Sequence, residues 1–476
     1  MNAMKGIRNR LQRIHNLFRM SALAVFVLTL ACERWIDPEY NIDPGAADDV
    51  PMSMLIPTIE LDIGFNLMGM NTVQVTNIWM QYYTGVNLAW MQEITTYQPH
   101  NDISEVLWWV IYTKQLINAK ILIEKAEQQQ SPYNAAVGQI LTAYSLGIAT
   151  DLWGDIPYSN ALKGTENVLS VPYDRQEQIY SSIDSLLDLA ILNLSLDPAE
   201  NRIDIEGDVY YEGNPDAWLK AAKAIKARHL LQLSNQRGEE AYRSALDFTD
   251  AFESNEDNMK CPFSITTQNP HYQDVQYSPS PVVMCSTFLD ELDKTDDPRL
   301  AFYFGKDAEG NISAAPPGEL NSDASVPGDY LAGVSGPLYL MTYSELQFIE
   351  AEAALMTGDP ERADSAYRKA VEASLLQVTG QFDTLWLKRN IYIETPGSIT
   401  LEKIIAQKRI ALFGQVQAYS DWRRTGFPEL VPFPGAQLPE IPKRYLYPRS
   451  EVSSNPGNVP YVTLSDPVWW ADGNSR

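Results

Sequence analysis

Apolar residues recur at helical spacing along most of this chain. From Met52 to about Tyr83 the sequence is rich in Met, Leu and Ile, and loop signals follow at Gly85 and Asn87. Glu105 to Gln129 reads as one long helix whose apolar stripe is Val106, Trp109, Val110, Leu116, Ile117, Ile121 and Ile123. After the break at Ser131-Pro132 a second helix is predicted from Ala135 to about Leu152, with Ile140, Tyr144, Gly147, Ile148 and Leu152 on its face. Further helices are predicted over 174–194, with Ile179, Ile183, Leu186, Leu187 and Ala190 aligned, and from Asn214-Pro215 to about Gln236. The latter places Trp218, Ala222, Ile225, His229 and Leu233 on one side, and Pro215 suits its first turn. A shorter helix fits 238–251 and a last one 401–413.

The clearest repeat unit is Tyr343 to Leu375. Gly358-Asp359-Pro360 turns the chain between two helices. Ala351, Ala363, Tyr367 and Ala370 fall where a tetratricopeptide hairpin has small, small, aromatic and small residues. The pair 105–152 has a similar layout. These elements predict an all-α, tetratricopeptide-like helical scaffold. Between them run long connections, 85–103, 153–173, 196–214, 252–290, 305–340, 376–400 and 426–476, rich in Pro, Gly, Asn, Tyr and Trp. Loops longer than about 12–15 residues are uncommon unless they carry function or are disordered, and so many aromatic residues argue against disorder.

The N-terminus has a different pattern. Lys5, Arg8, Arg10, Arg13 and Arg19 precede an apolar run from Met20 to Ala31, and residues 1–31 hold no acid. This is the layout of a secretory signal, too short for the roughly 20 residues that span a bilayer. The run ends at Leu30-Ala31-Cys32, which resembles a bacterial lipoprotein box with Thr29 where Leu is usual. The expectation is a signal peptide over 1–31, a tether over 32–51 lipidated at Cys32, and a single domain over 52–476. An ordinary signal peptide with an incidental Cys is the competing reading. Several buried acyl CH₂ groups, each worth about 0.8 kcal/mol, make a multiply acylated Cys a firm anchor. Cys261 and Cys285 remain, and the sequence leaves open whether they pair or stay as free thiols.

Charge narrows the function classes. The 476 residues carry 61 acids against 36 bases, a net charge of −25. Removal of the leader makes the remainder more acidic still. Counterion release needs clustered Lys and Arg, so nucleic acid is not an expected partner. Three Cys exclude a disulfide scaffold. No P-loop, Gly-x-Gly-x-x-Gly, His-Glu-x-x-His or Gly-x-Ser-x-Gly is present. Asp151 and Asp155 flank Leu152-Trp153-Gly154, which suits sugar chemistry superficially, but Asp155 lies in a Gly-Asp-Ile-Pro turn where a carboxylate bonds backbone. No catalytic residue, cofactor or metal is expected, and no EF-hand pattern supports a calcium ion.

The chain has 11 Trp, 25 Tyr and 14 Phe, more rings than a core requires. They concentrate between Trp79 and Trp109, among amides. Sugar rings have apolar CH faces and hydroxyl rims, which flat rings and amides match. The candidate ligand residues are therefore Tyr82, Tyr83, Trp90, Tyr97 and Trp108, with Asn87, Gln92 and Asn101. Trp79 is assigned to the core. Trp108 and Trp109 are adjacent and cannot share one helix face. One belongs inside, and the other needs a groove or a neighbour. Trp469-Trp470 poses the same problem at the tail, where it fits packing of the C-terminus.

Several segments together resemble the SusD/RagB family of outer-membrane lipoproteins. They are Asp151-Leu-Trp-Gly-Asp-Ile-Pro-Tyr158, the Trp218 helix through Leu-Leu-Gln-Leu-Ser234, Asp297-Pro-Arg-Leu300, and Tyr343-Ser-Glu-Leu-Gln-Phe-Ile-Glu-Ala-Glu-Ala353. Glu402-Lys-Ile-Ile-Ala-Gln-Lys408, Ser420-Asp-Trp-Arg-Arg-Thr-Gly-Phe-Pro428, Pro442-Lys-Arg-Tyr-Leu-Tyr-Pro448 and Glu451-Val-Ser-Ser-Asn-Pro456 complete the series. They span nearly the whole chain in the family's order. The resemblance implies a helical scaffold with a loop-built ligand face, a lipid anchor facing outward in the outer membrane, and a SusC-like TonB-dependent transporter as partner. It implies capture of oligosaccharide, or peptide in the RagB branch. A secreted α-helical glycoside hydrolase is the rival of another class. The resemblance names no ligand residue.

Overall fold

The computed structural model describes residues 6, 10, 12–20, 50–85, 89–99, 101–164, 170–278, 281–319, 323–393, 395–433 and 435–473. The side chains at 70, 71, 89, 90 and 101 are outside that set, as are Cys32 and most of the expected leader and tether. Residues 12–20 are helical. Residues 52–476 form a unit of their own.

That unit is all-α, with four very short strands among its described residues. Helix α1, Met52–Asp62, passes through a π-helical turn, Ile63–Leu67, before α2, Met70–Trp79. The break falls at Gly69, where a Cβ would meet the Phe65 carbonyl oxygen at 1.8 Å. Ala89–Thr95 forms α3, inside a stretch expected to be loop. Helix α4, Glu105–Val110, continues through a second π-helical stretch, Ile111–Leu116, into α5, Ile117–Gln128. The stretch is helical as expected, and Val110 and Leu116 of the expected stripe are buried, but Val106 and Trp109 are exposed, while Leu107, Trp108, Ile111, Ala119 and Leu122 are buried. A π turn adds a residue to the helical repeat and rotates the residues after it, so a single 3.6-residue phase misassigns the face.

Helix α6, Pro132–Trp153, is buried along nearly its whole length. Small residues let its neighbours come close: a Cβ at Gly138 would lie 2.7 Å from Ile123, and one at Gly147 would lie 2.4 Å from His229. Helix α7, Gln176–Leu194, buries Ile179, Ile183, Leu187 and Ala190. Helix α8, Pro215–Gln232, starts from Asn214, whose side chain accepts from the N–H groups of Asp216 and Ala217. Helix α9 is Glu239–Leu246.

The repeat hairpin forms as α10, Tyr343–Met356, and α11, Pro360–Thr379. Ala351, Ala363, Tyr367 and Ala370 are all buried, in a core that takes in Phe348, Val371 and Trp386. Helices α12, Thr384–Asn390, and α14, Gln417–Thr425, flank α13, Leu401–Ala411. A final short helix, α15, is Arg449–Ser454. Two antiparallel strand pairs join distant loops, Tyr83–Thr84 with Val283–Met284 and Met259–Cys261 with Leu338–Met341.

Buried ion pairs tie the helices together. Arg228 of α8 donates to both Glu345 oxygens at 2.7 Å. Arg424 of α14 contacts both oxygens of Glu352 on α10 and donates to Asp421 at 3.0 Å, and Lys408 of α13 reaches Asp421 at 2.8 Å. Cys261 and Cys285 are buried free thiols, and burial pushes the Cys261 thiol up to about 12. Trp470 is fully buried with Tyr180, Leu233 and Val468, so the tail tryptophan does pack the C-terminus down.

Candidate functional site

The carboxylates around Trp153 are built into the scaffold. Asp151 accepts from the Tyr180 hydroxyl at 2.5 Å and the Trp470 indole N–H at 2.8 Å. Asp155 accepts the backbone N–H of Gln176 at 2.8 Å, so it anchors the start of α7 rather than its own turn. Gly154 ends α6 with a φ of +82°, a conformation that favours glycine. Arg444 and the Tyr447 hydroxyl both donate to the Trp153 carbonyl, and Tyr447 also bonds the Asp155 carbonyl at 2.7 Å. Ile156 and Asp174 exchange two backbone hydrogen bonds, and the Asp174 carboxylate accepts the N–H groups of Tyr158 and Ser159. The root of the loop that follows residue 156 is thereby clasped.

Beside this root a cleft of about 840 Å³ opens between α4, the loop and α15. Trp108, Tyr112, Val106, Pro157, Ala161, Leu162 and Val171 give it an apolar lining, and Trp109 stands at its edge. Trp108 is 6% exposed and Trp109 53%. The adjacent pair thus divides as its spacing demands. Trp108 is the keystone of an aromatic cluster. Its ring lies 4.8 Å from Tyr112, 5.2 Å edge-on to Trp153 and 6.1 Å from a nearly parallel Tyr173. The Lys114 Nζ lies 5.1 Å from the centre of the Trp109 ring.

The polar rim is preorganised. Glu105 accepts the N–H of Ser450 at 2.7 Å and its hydroxyl at 2.6 Å. The Tyr173 hydroxyl donates to Glu451 at 2.9 Å, and Asn455 donates to the Val171 carbonyl at 2.8 Å. The Tyr112 hydroxyl donates to the Pro157 carbonyl at 2.7 Å. Burial pushes the Tyr112 and Tyr173 hydroxyls well above the usual tyrosine range, Tyr173 further because of Glu451, so both remain neutral donors. A flat indole edge, an apolar floor, two carboxylates, a serine and an amide make a surface suited to a hydroxyl-rich ring. Among the described residues no group of three or more His, Cys, Asp or Glu is placed to hold a metal ion. None of the described helices is long and apolar enough to cross a membrane.

Of the residues expected from sequence to bind ligand, Trp108 lies in this cleft. Tyr82, Tyr83 and Tyr97 do not present ring faces to solvent, because they are core residues at 0, 1 and 2% exposure. The Tyr82 hydroxyl donates to the Arg409 carbonyl at 2.7 Å, with the Arg409 guanidinium 4.1 Å over its ring. Tyr83 packs on Phe413, and Tyr97 packs edge-on against Phe433. Gln92 is half-buried on α3 and does not line the cleft. Asn87 and the side chains of Trp90 and Asn101 lie outside the described residues. Sequence reasoning missed Glu105, Tyr112, Glu451 and Asn455. The signal for the last two was their place in the Glu451–Pro456 segment.

A family model described as SusD-like, starch-binding associating with outer membrane, matches residues 45–448. The chain belongs to the SusD-like family. Among curated proteins nothing matches it. Solved structures do. A SusD/RagB family protein from Bacteroides thetaiotaomicron is 22% identical, with 90% of this chain and 100% of that one covered and a TM-score of 0.76. A chitin-binding SusD homologue from Flavobacterium johnsoniae is 22% identical over 88% and 98%, with a TM-score of 0.77. A chitin-binding protein is 23% identical over 89% and 100%, with a TM-score of 0.76. At these identities the likeness establishes a shared SusD-like fold.

Proposed function

We propose that this protein binds oligosaccharide without turning it over and delivers it to a SusC-like TonB-dependent transporter, while held to the outer surface of the outer membrane by lipid on Cys32. The observation that carries the binding step is the cleft, with Trp109 exposed over an apolar floor and a satisfied polar rim. Starch binding in the family description and chitin binding in two structural neighbours support the ligand class. The absence of turnover is supported by Asp151 and Asp155, whose oxygens serve structural donors.

The test is calorimetry of the purified protein against a panel of soluble glycans and peptides. Trp109→Ala is expected to weaken glycan binding at least tenfold with little change in the unfolding midpoint, since more than half of the residue is exposed. Trp90→Ala is expected to do the same if α3 contributes to the ligand face. Unchanged affinity in the Trp109 variant removes the cleft from the reading, and retention of peptides alone replaces glycan capture with peptide capture. New reducing ends that vanish in Glu451→Gln would convert the binder into a hydrolase. Cys32→Ser is expected to move the protein from the membrane fraction to the soluble fraction.

A further inference from the structure

A second cavity, about 350 Å³, adjoins the cleft. Ala161 and Leu162 line both, so a single turn of chain divides them. Leu162 holds a φ of +59°, which is uncommon for a residue with a branched side chain. Such strain gathers at ligand clamps and persists where surrounding structure fixes it. The clasp at Ile156 and Asp174 supplies that fixing at the loop root. The second cavity differs from the first in its lining, where Tyr158 and the apolar Leu116 and Ile123 stand with Lys120, Lys163 and Glu124. Lys120 pairs with Glu124 at 2.7 Å across one exposed helical turn, and Lys163 has no ion pair among the described residues. A volume of this size is at the lower end of ordinary ligand sites.

Resting on the carbohydrate reading above, we infer that the two cavities form one extended site: an oligosaccharide lies across Leu162, with one part against Trp109 and the next against Tyr158, Lys120 and Lys163. The two lysines donate to hydroxyl or carbonyl oxygens of the sugar beyond the divider. The site therefore selects for chain length.

The test uses matched two-residue and six-residue oligosaccharides of starch, cellulose, chitin, xylan and mannan, titrated into the full protein. For the glycan bound, the six-residue form should bind at least tenfold tighter than the two-residue form. The double variant Lys120→Ala/Lys163→Ala should erase that gain and leave the two-residue affinity unchanged. It should fold normally, because an exposed i,i+4 pair contributes little to stability; an unchanged unfolding midpoint checks this. Leu162→Gly, which relieves the strained backbone and takes the side chain from the wall between the cavities, should also compress the length ratio. Equal affinity at both lengths, or a length gain that survives the double variant, overturns the extended site while leaving the Trp109 cleft standing. No binding of any ladder, at either length, overturns the carbohydrate reading and this inference together.

Discussion

Glu60 is fully buried on α1, where its carboxylate accepts the Val209 N–H at 2.8 Å and faces Asp208. Asp208 accepts the N–H groups of Tyr210, Tyr211 and Gly213, and the indole N–H of Trp218 at 2.8 Å. Burial, and then the neighbouring Asp208, raise Glu60 well above its ordinary value of 4.5. The folded state therefore holds a proton that the unfolded state releases. The stabilisation is complete below the unfolded value and is lost as pH rises towards the folded one. Glu60→Gln should flatten this decline, with unfolding midpoints above pH 5 that fall less steeply than those of the wild type. Asp274 behaves alike: burial raises it from 3.8 to about 6, with Gln74 donating at 2.9 Å, so its contribution fades between about pH 4 and 6. A wild-type midpoint that rises steadily with pH across that interval would contradict both assignments. The tryptophans show a related contrast at this scale. Trp108→Ala should cost about 3–5 kcal/mol of stability from lost packing, whereas Trp109→Ala should act on ligand alone. Adjacency in the sequence required the two rings to part, but only the packing of Trp153 and Tyr447 around one of them decides which faces inward.

The long elements were legible because their own residues specify them. The α10–α11 hairpin has Thr342 and Asp359 as side-chain caps and Gly358 at a φ of +83° in the turn. Asp359→Ala should cost about 1 kcal/mol by removing the acceptor for the Arg362 N–H, read as a shifted urea midpoint with an unchanged slope. Short elements were not legible for the converse reason. Helices as short as α3, α12 and α15 cannot repay nucleation alone, and form because tertiary contacts hold them. Trp386 of α12 is an example, with its indole donating to the Thr295 carbonyl at 2.9 Å. The network joining α10, α13 and α14 is a tertiary device of the same kind. Glu352→Ala leaves Arg424 buried with Asp421 as its remaining acid partner, and Asp421 must also serve Lys408. Loss of about 3–5 kcal/mol is expected. Replacing the acid and arginine together with Leu and Met should recover much of that loss, because the cost lies in the charge left unpaired.

At the scale of the molecule, the helices could be read locally but the cleft could not. Its parts come from residues 105–113, 157–164, 171 and 450–455, and the Glu105–Ser450 bonds close a separation of 345 positions. Of the rings clustered at 79–109, Trp108 and Trp109 line the cleft, while Trp79, Tyr82, Tyr83 and Tyr97 are buried against the scaffold. Charge is a property of the whole body, and it bears on ligand choice. The net charge is −25, and residues 1–31 hold five bases and no acid, so the rest of the chain is more acidic. Glu105 and Glu451 line the cleft, where Lys114 lies beside Trp109, and Lys120 and Lys163 stand beyond the Leu162 divider. A neutral oligosaccharide has no charge for this field to act on. Its affinity should change less than about twofold between 0.01 and 0.1 M salt. An acidic oligosaccharide of the same backbone should bind more weakly at 0.01 M, where screening extends about 30 Å, and should tighten at 0.1 M, where it extends about 10 Å. Calorimetry at the two salt concentrations reads both slopes. If the acidic form instead weakens with added salt, the pair of lysines governs recognition locally, and the field of the acidic body does not reach the bound ligand.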